Sequence, residues 1–214
     1  MNNRDYELVV FDLDSTLVDG EGIVALAERA GVEDEVAEVT ERAMRGELDF
    51  GDSLRQRVAL LEGLDYDEAV DALTSMPLVE NVVDVVGSID ADVAVFSGGF
   101  YPAVERVAEL VGAEHVRANR LGVQDGVLTG EVDGELVDTT KAEALRELAT
   151  QLDVDLEDVV VVGDGSNDVP MFEIAGCSIA FDGKPIARDA ADHEVDRRDF
   201  ADVEPLLRKK RVIE

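Results

Sequence analysis

Four consecutive valines, Val159 to Val162, run directly into Gly163-Asp164-Gly165-Ser166-Asn167-Asp168. A run of β-branched residues with no polar alternation marks a strand buried on both faces, as in a parallel sheet covered by helices. Three further short apolar runs read as strands of the same kind: Leu8-Val9-Val10-Phe11, Val93-Ala94-Val95-Phe96 and Ile179-Ala180-Phe181. Amphipathic stretches separate them, and helices are expected over 101–111, 140–152 and 169–175. The order of runs points to an α/β fold with a parallel sheet flanked by helices.

Residues 22–76 break the alternation. They hold helical patterns and no convincing strand: Val36, Val39 and Ala43 share one helix face, and Leu54, Val58 and Leu61 another. This reads as a helical insertion after the first strand. The stretch from Leu121 to Gly130 carries Asp125-Gly126, a hairpin turn signal.

Three strands end in polar groups: the first in Asp12 and Asp14, the second in Ser97-Gly98-Gly99, the third in Asp164 and Asp168. In open parallel sheets, ligands bind at the carboxyl ends of strands. If these strands are neighbours, four carboxylates meet and repel one another unless positive charge sits among them. Mg²⁺, a hard cation that takes one or two carboxylates together with water and phosphate oxygens, is expected there. Asp12 and Asp14, two apart on an extended segment, point to the same side and can divide the work of nucleophile and proton carrier. Lys141 is the only lysine in the first 183 residues. It offers a compact charge to a phosphate oxygen; Ser97 adds a hydroxyl, and the adjacent glycines admit backbone N–H groups.

Charge narrows the partners. Fifty acidic residues against 19 basic ones give a formal net charge of −31, which argues against nucleic acid. Such a chain repels itself in dilute buffer and is expected to fold best in molar salt, like proteins of salt-accumulating organisms. The basic run Arg208-Lys209-Lys210-Arg211 reads as a solvated tail. No apolar run reaches the roughly 20 residues of a membrane span, and no leader pattern is evident, so a cytoplasmic location is expected. The lone Cys177 reads as a buried strand residue; His115 and His193 read as structural or exposed.

The motifs Phe11-Asp-Leu-Asp-Ser-Thr-Leu-Val18, Ser97-Gly-Gly-Phe100, Lys141 and Val162-Gly-Asp-Gly-Ser-Asn-Asp168 occur in the order of the haloacid dehalogenase superfamily, and the chain resembles its phosphoserine phosphatases. The resemblance implies a Rossmann-like core over 1–16 and 77–214 and a helical cap over 17–76. It implies that Asp12 attacks phosphorus and that Asp14 protonates the leaving hydroxyl and then activates water. Asp12, Asp14 (through its backbone carbonyl) and Asp164 would bind Mg²⁺. Ser97, Gly98, Lys141 and Asn167 would hold the phosphate, with Asp168 supporting them. Glu21 stands where these enzymes meet a substrate ammonium, and the stretch from Ala43 to Val58 is very like theirs. Arg57 falls on the apolar stripe of its helix; it either lays its stem on the core with its head in water or grips a substrate carboxylate. The resemblance favours the second reading. Met44 and Phe50 would wall the pocket.

The resemblance implies a small phosphorylated metabolite as partner, phosphoserine foremost, in the last step of serine biosynthesis, with a monomer or homodimer as the working unit. Phosphoethanolamine or phosphothreonine hydrolysis and phosphoryl transfer to a sugar are the rival activities. A non-catalytic phosphate-binding module is the rival outside enzymology, and it fits poorly with every motif position filled.

Overall fold

The computed structural model describes residues 6–213. Residues 1–5 and 214 of the expected core, and with them the start of the stretch read for a leader, lie outside the described residues. Seven strands form one sheet: β1 (Leu8–Asp12), β2 (Asp92–Phe100), β3 (His115–Gln124), β4 (Val127–Gly134), β5 (Val159–Gly163), β6 (Cys177–Phe181) and β7 (His193–Val195), in the order β4-β3-β2-β1-β5-β6-β7. Every adjacent pair is parallel except β3 with β4. β1 therefore lies between β2 and β5, with Val9 opposite Val93 on one side and Val160 on the other.

β1, β5 and β6 are buried at every residue. Alternate residues serve opposite faces. Val9, Phe11, Val160 and Val162 join one apolar cluster, and Leu8, Val10, Val159 and Val161 the other. Full burial of each such side chain contributes about 1.5–3 kcal/mol relative to exposure, which is why the valine run tolerates no polar residue.

Between β1 and β2, residues 22–76 hold four helices: α1 (Gly22–Ala30), α2 (Glu33–Met44), α3 (Phe50–Ala59) and α4 (Tyr66–Thr74). Val36, Leu54, Val58 and Leu61 are buried and belong to the larger cluster. The other helices are α5 (Val82–Val86), α6 (Tyr101–Val111), α7 (Glu135–Asp138), α8 (Lys141–Leu152), α9 (Val169–Phe172), α10 (Pro185–Ala190) and α11 (Glu204–Lys209). α6 covers the larger cluster through Val104 and Val107, and α8 the smaller through Leu145 and Leu148.

Three features correct or extend the sequence reading. α9 ends at Phe172 rather than 175, because Gly176 must leave the helix to donate its N–H to Leu156 O at 2.8 Å. The basic run is solvated as read, with Arg208, Lys209 and Arg211 exposed, but the segment is anchored: Arg208 pairs with Glu204 one turn back at 2.7 Å, and Val212 and Ile213 are buried. The β3–β4 hairpin turns at Asp125 and Gly126, both at positive φ, and then joins the helical segment. Gly63 N–H donates to Leu128 O at 2.9 Å, Leu128 N–H to Leu64 O at 2.8 Å, and Tyr66 N–H to Gly126 O at 2.9 Å.

Candidate active site

Because β2, β1 and β5 are adjacent, their carboxyl ends bring Asp12, Ser97 and Asp164 together. Lys141 reaches them from the first residue of α8. A capping box fixes that helix start: Thr140 Oγ1 accepts from Glu143 N–H at 3.2 Å, and Thr140 N–H donates to Glu143 Oε2 at 2.8 Å. The Lys141 ammonium donates to Asp12 Oδ1 and, at 2.7 Å, to Asp168 Oδ1. All three side chains are buried. The second Asp168 oxygen accepts from the N–H groups of Asp164 at 3.1 Å and Gly165 at 3.0 Å. Asp168 is thereby committed to holding Lys141 and the loop after β5. Gly163 permits this packing, since a Cβ there would stand 2.5 Å from the Asp168 carboxyl.

Asp14 occupies a different environment. Its Oδ1 accepts from Gly22 N–H at 2.8 Å, and its Oδ2 accepts from Ser97 Oγ at 3.2 Å. Burial raises its carboxyl to about 6, with Glu21 adding to the rise and the Gly22, Lys141 and Ser97 interactions opposing it. Such a group can both give and take a proton near neutrality. The turn that carries it places Ser15 at φ 61, a left-handed conformation uncommon outside glycine.

Burial pushes the Asp12 carboxyl well above its ordinary range; Lys141 pulls it back, while Asp168, Asp164 and Asp14 add to the rise. Asp164 is raised too, by burial first and by Asp168, against the pull of Lys184. For Lys141, burial favours the neutral form, but Asp12 and Asp168 outweigh it and hold the ammonium charged. Counting Glu21, five carboxylates face three cationic side chains, Lys141, Lys184 and Arg57. The formal deficit of two positive charges fits a divalent cation. Carboxylate oxygens of Asp12, Asp164 and Asp168 lie within 4.8 Å of one another, close enough to surround one. Asp168 takes Lys141 on one oxygen and two backbone N–H groups on the other, whereas Asp12 Oδ2 takes one long bond of 3.4 Å from Thr16, so Asp12 and Asp164 are the freer donors.

A cavity of about 120 Å³ opens beside Lys141, bounded by Phe50, Gly98, Leu136, Thr140 and Asn167. The Phe50 ring lies directly over Gly98, where a Cβ would stand 2.5 Å from the ring. A larger groove of about 430 Å³ shares only Glu21 with these groups and holds none of the sheet-end carboxylates.

Arg57 is 8% exposed in the last turn of α3. Its Nε donates to Ser53 O at 3.3 Å, and no carboxylate among the described residues lies within ion-pair distance. Burial lowers its guanidinium, and the charges of Glu21 and Asp14 support it. The reading of an edge arginine with its head in water is thus corrected: the head is buried on the site's side. Glu21 precedes α1 and lies 3.8 Å from Lys184 Nζ. Met44 departs from expectation. It is the last residue of α2 and 80% exposed, and a side chain turned to solvent encloses no pocket.

Three residues at the site carry no role in the sequence reading. Lys184 Nζ stands 3.2 Å from Asp164 Oδ2; its rarity as one of four lysines was a usable signal. Thr16, inside the first motif, donates to Asp12 Oδ2 at 3.4 Å. Asn119, buried on β3, donates to Gly98 O at 3.0 Å and braces the loop after Ser97; nothing in its sequence context marks it.

Residues 9–173 match the family model described as haloacid dehalogenase-like hydrolase. The chain is 42% identical over 201 residues to a phosphoserine phosphatase of Methanocaldococcus jannaschii, covering 92% of this chain and 95% of that one. It is 46% identical over 193 residues to a phosphoserine phosphatase of Mycobacterium tuberculosis, of which it spans 47%. A solved phosphoserine phosphatase bearing a phospho-aspartyl intermediate analogue superposes with a TM-score of 0.88 at 42% identity, over 95% of this chain and 99% of that one.

Proposed function

The chain belongs to the haloacid dehalogenase-like hydrolases, and on that premise we propose that it is a phosphoserine phosphatase working through an aspartyl-phosphate on Asp12. The observation that carries the proposal is the pairing of the buried Asp12–Lys141–Asp168 cluster with a buried guanidinium, Arg57, that has no carboxylate of its own among the described residues. The first cluster suits a phosphate, and the second group suits a substrate carboxylate.

In the first half-reaction an Asp12 oxygen forms a bond to phosphorus, and the bond from phosphorus to the serine oxygen breaks. Asp14 gives its proton to that oxygen. In the second half-reaction Asp14 takes a proton from water, whose oxygen attacks phosphorus; phosphate leaves and Asp12 is restored. A carboxyl near 6 suits both transfers. Lys141, Ser97 and the N–H groups around Gly98, with Asn167, hold the phosphate oxygens and offset their charge. Asp12, Asp164 and the Asp14 backbone carbonyl would hold Mg²⁺, which neutralises charge on Asp12 and on the phosphate. Arg57 receives the substrate carboxylate, Glu21 its ammonium, and Phe50 closes the cavity over Gly98. Residues 17–76 act as the cap in this reading, and 1–16 with 77–214 as the core.

In this reading the protein works at the end of serine biosynthesis, in the cytoplasm. No helix among the described residues is long and apolar enough to cross a membrane. The charge of −31 supports a salt-rich interior as its setting.

The test is phosphate release with Mg²⁺ in molar KCl from phosphoserine, phosphothreonine, phosphoethanolamine and an aryl phosphate, with Asp12→Asn alongside. Preference for phosphoserine, lost by roughly four orders of magnitude or more in the variant, is expected. Turnover of the aryl phosphate but not of phosphoserine would keep Asp12 as nucleophile and overturn the roles given to Arg57 and Glu21.

A further inference from the structure

Lys184 lies at the carboxyl ends of the strands, and the reaction above leaves it without a task. It follows β6 and precedes α10. Its backbone N–H donates to Asp164 O at 2.8 Å, and its ammonium stands 3.2 Å from Asp164 Oδ2 and 3.8 Å from Glu21 Oε1. The residue is thus anchored to Asp164 through both main chain and side chain. A lysine 54% exposed has no need of so acidic a contact for solubility. The chain has only four lysines, and two of them meet carboxylates of this one cluster.

Asp164 is also one of the two carboxylates assigned above to the divalent cation. An ammonium and a cation drawing on one carboxylate repel each other through its oxygens, and at such separations the repulsion is felt even at the high effective dielectric of a protein surface. Glu21, 3.8 Å from the ammonium, offers it a second resting place without loss of an ion pair. We propose that Lys184 is a positioning residue that competes with the divalent cation for Asp164, so that binding of the cation moves its ammonium toward Glu21. The affinity of the site for metal is then set below what the carboxylates alone would give. Lys141 cannot serve this purpose, because it is buried and bonded to both Asp12 and Asp168.

This rests on the reading of Asp12 and Asp164 as cation donors, and the test separates the two. Titration calorimetry with Mg²⁺ alone, without substrate, would be run on chelator-treated wild-type protein, Lys184→Met, Lys184→Gln and Lys184→Arg, at the lowest salt that keeps all four folded by circular dichroism. Both neutral variants are expected to bind Mg²⁺ roughly tenfold more tightly than wild type, and Lys184→Arg to match wild type. Equal or weaker binding by the neutral variants overturns the competition. So does an arginine variant that behaves like them, since the cause would then not be charge. A wild-type protein that takes up no Mg²⁺ overturns the cation site and the role of Lys184 with it.

Discussion

On the sheet side of the cleft, Asp12, Lys141 and Asp168 expose 4%, 3% and 0% of their side chains. On the side of the helical segment, Glu21, Phe50 and Met44 are 41%, 39% and 80% exposed. The first group sits at strand ends and a capped helix start, each oxygen bonded to a neighbour. The second sits on helix termini with few polar ties. In the proposed reaction Asp12 bonds to phosphorus, and such a group needs placement within fractions of an ångström, which a strand buried on both faces supplies. In the proposed reaction Glu21 and Phe50, which would meet the rest of the metabolite, can be held more loosely because they take no part in the bond changes, whereas Arg57 on the same side is buried.

The contrast breaks most readily at Lys141. Replacing it with Met leaves Asp12 and Asp168 buried together without a counter-charge, and about 3–5 kcal/mol of stability should go with it. Denaturant unfolding checks this, and a loss under 1 kcal/mol would mean that the sheet side is far less taut than its burial suggests. Across the cleft, Arg57→Met should raise KM for phosphoserine roughly ten- to hundredfold and leave kcat nearly unchanged. Phosphoethanolamine, which has no carboxylate, should be hydrolysed as before; an equal loss on both substrates would place Arg57 elsewhere.

Asp14, between the two sides, gives a smaller effect with a definite sign. Its carboxyl is near 6 in the folded chain against an ordinary 3.8, so the stability it contributes is complete below about 3.8 and is lost as pH rises through 6. In chelator, wild type should gain about 1 kcal/mol between pH 7 and pH 5 relative to Asp14→Asn; thermal melts of the two at both pH values decide it, and parallel pH slopes would refute it. The smallest change belongs to Met44→Ala, expected to move stability by under about 0.5 kcal/mol and to leave kcat/KM for phosphoserine untouched. A clear rise in KM would mean that Met44 folds over the ligand during turnover.

The same contrast explains what could be read in advance. The valine run that leads to Asp164 and the two apolar stretches that lead to Asp12 and Ser97 declare their strands because burial on both faces permits nothing else. Adjacency of those strands stood only as a condition in the sequence; the order β2-β1-β5 meets it and brings the carboxylates together. Asn119 could not be read, because its role depends on the pairing of β3 with β2 beside Gly98, a tertiary contact with no local trace. The exposure of Met44 was hidden for a related reason: a helix pattern fixes which face is apolar, but not where the last turn of α2 ends. The basic run is solvated as its charge suggests, but charge gave no sign that Leu207, Val212 and Ile213 anchor the segment by burial.

The ties between the hairpin and the loop before α4 bear on how such a protein can be rebuilt. Leu128 both accepts from Gly63 and donates to Leu64, and Gly126 accepts from Tyr66. Transplanting residues 17–76 from another phosphatase by sequence position alone would sever these backbone partners and strand polar groups at the seam. A graft that carries the Leu121–Gly130 turn along with the four helices keeps them, so the exchangeable module is discontinuous in the chain although continuous in space.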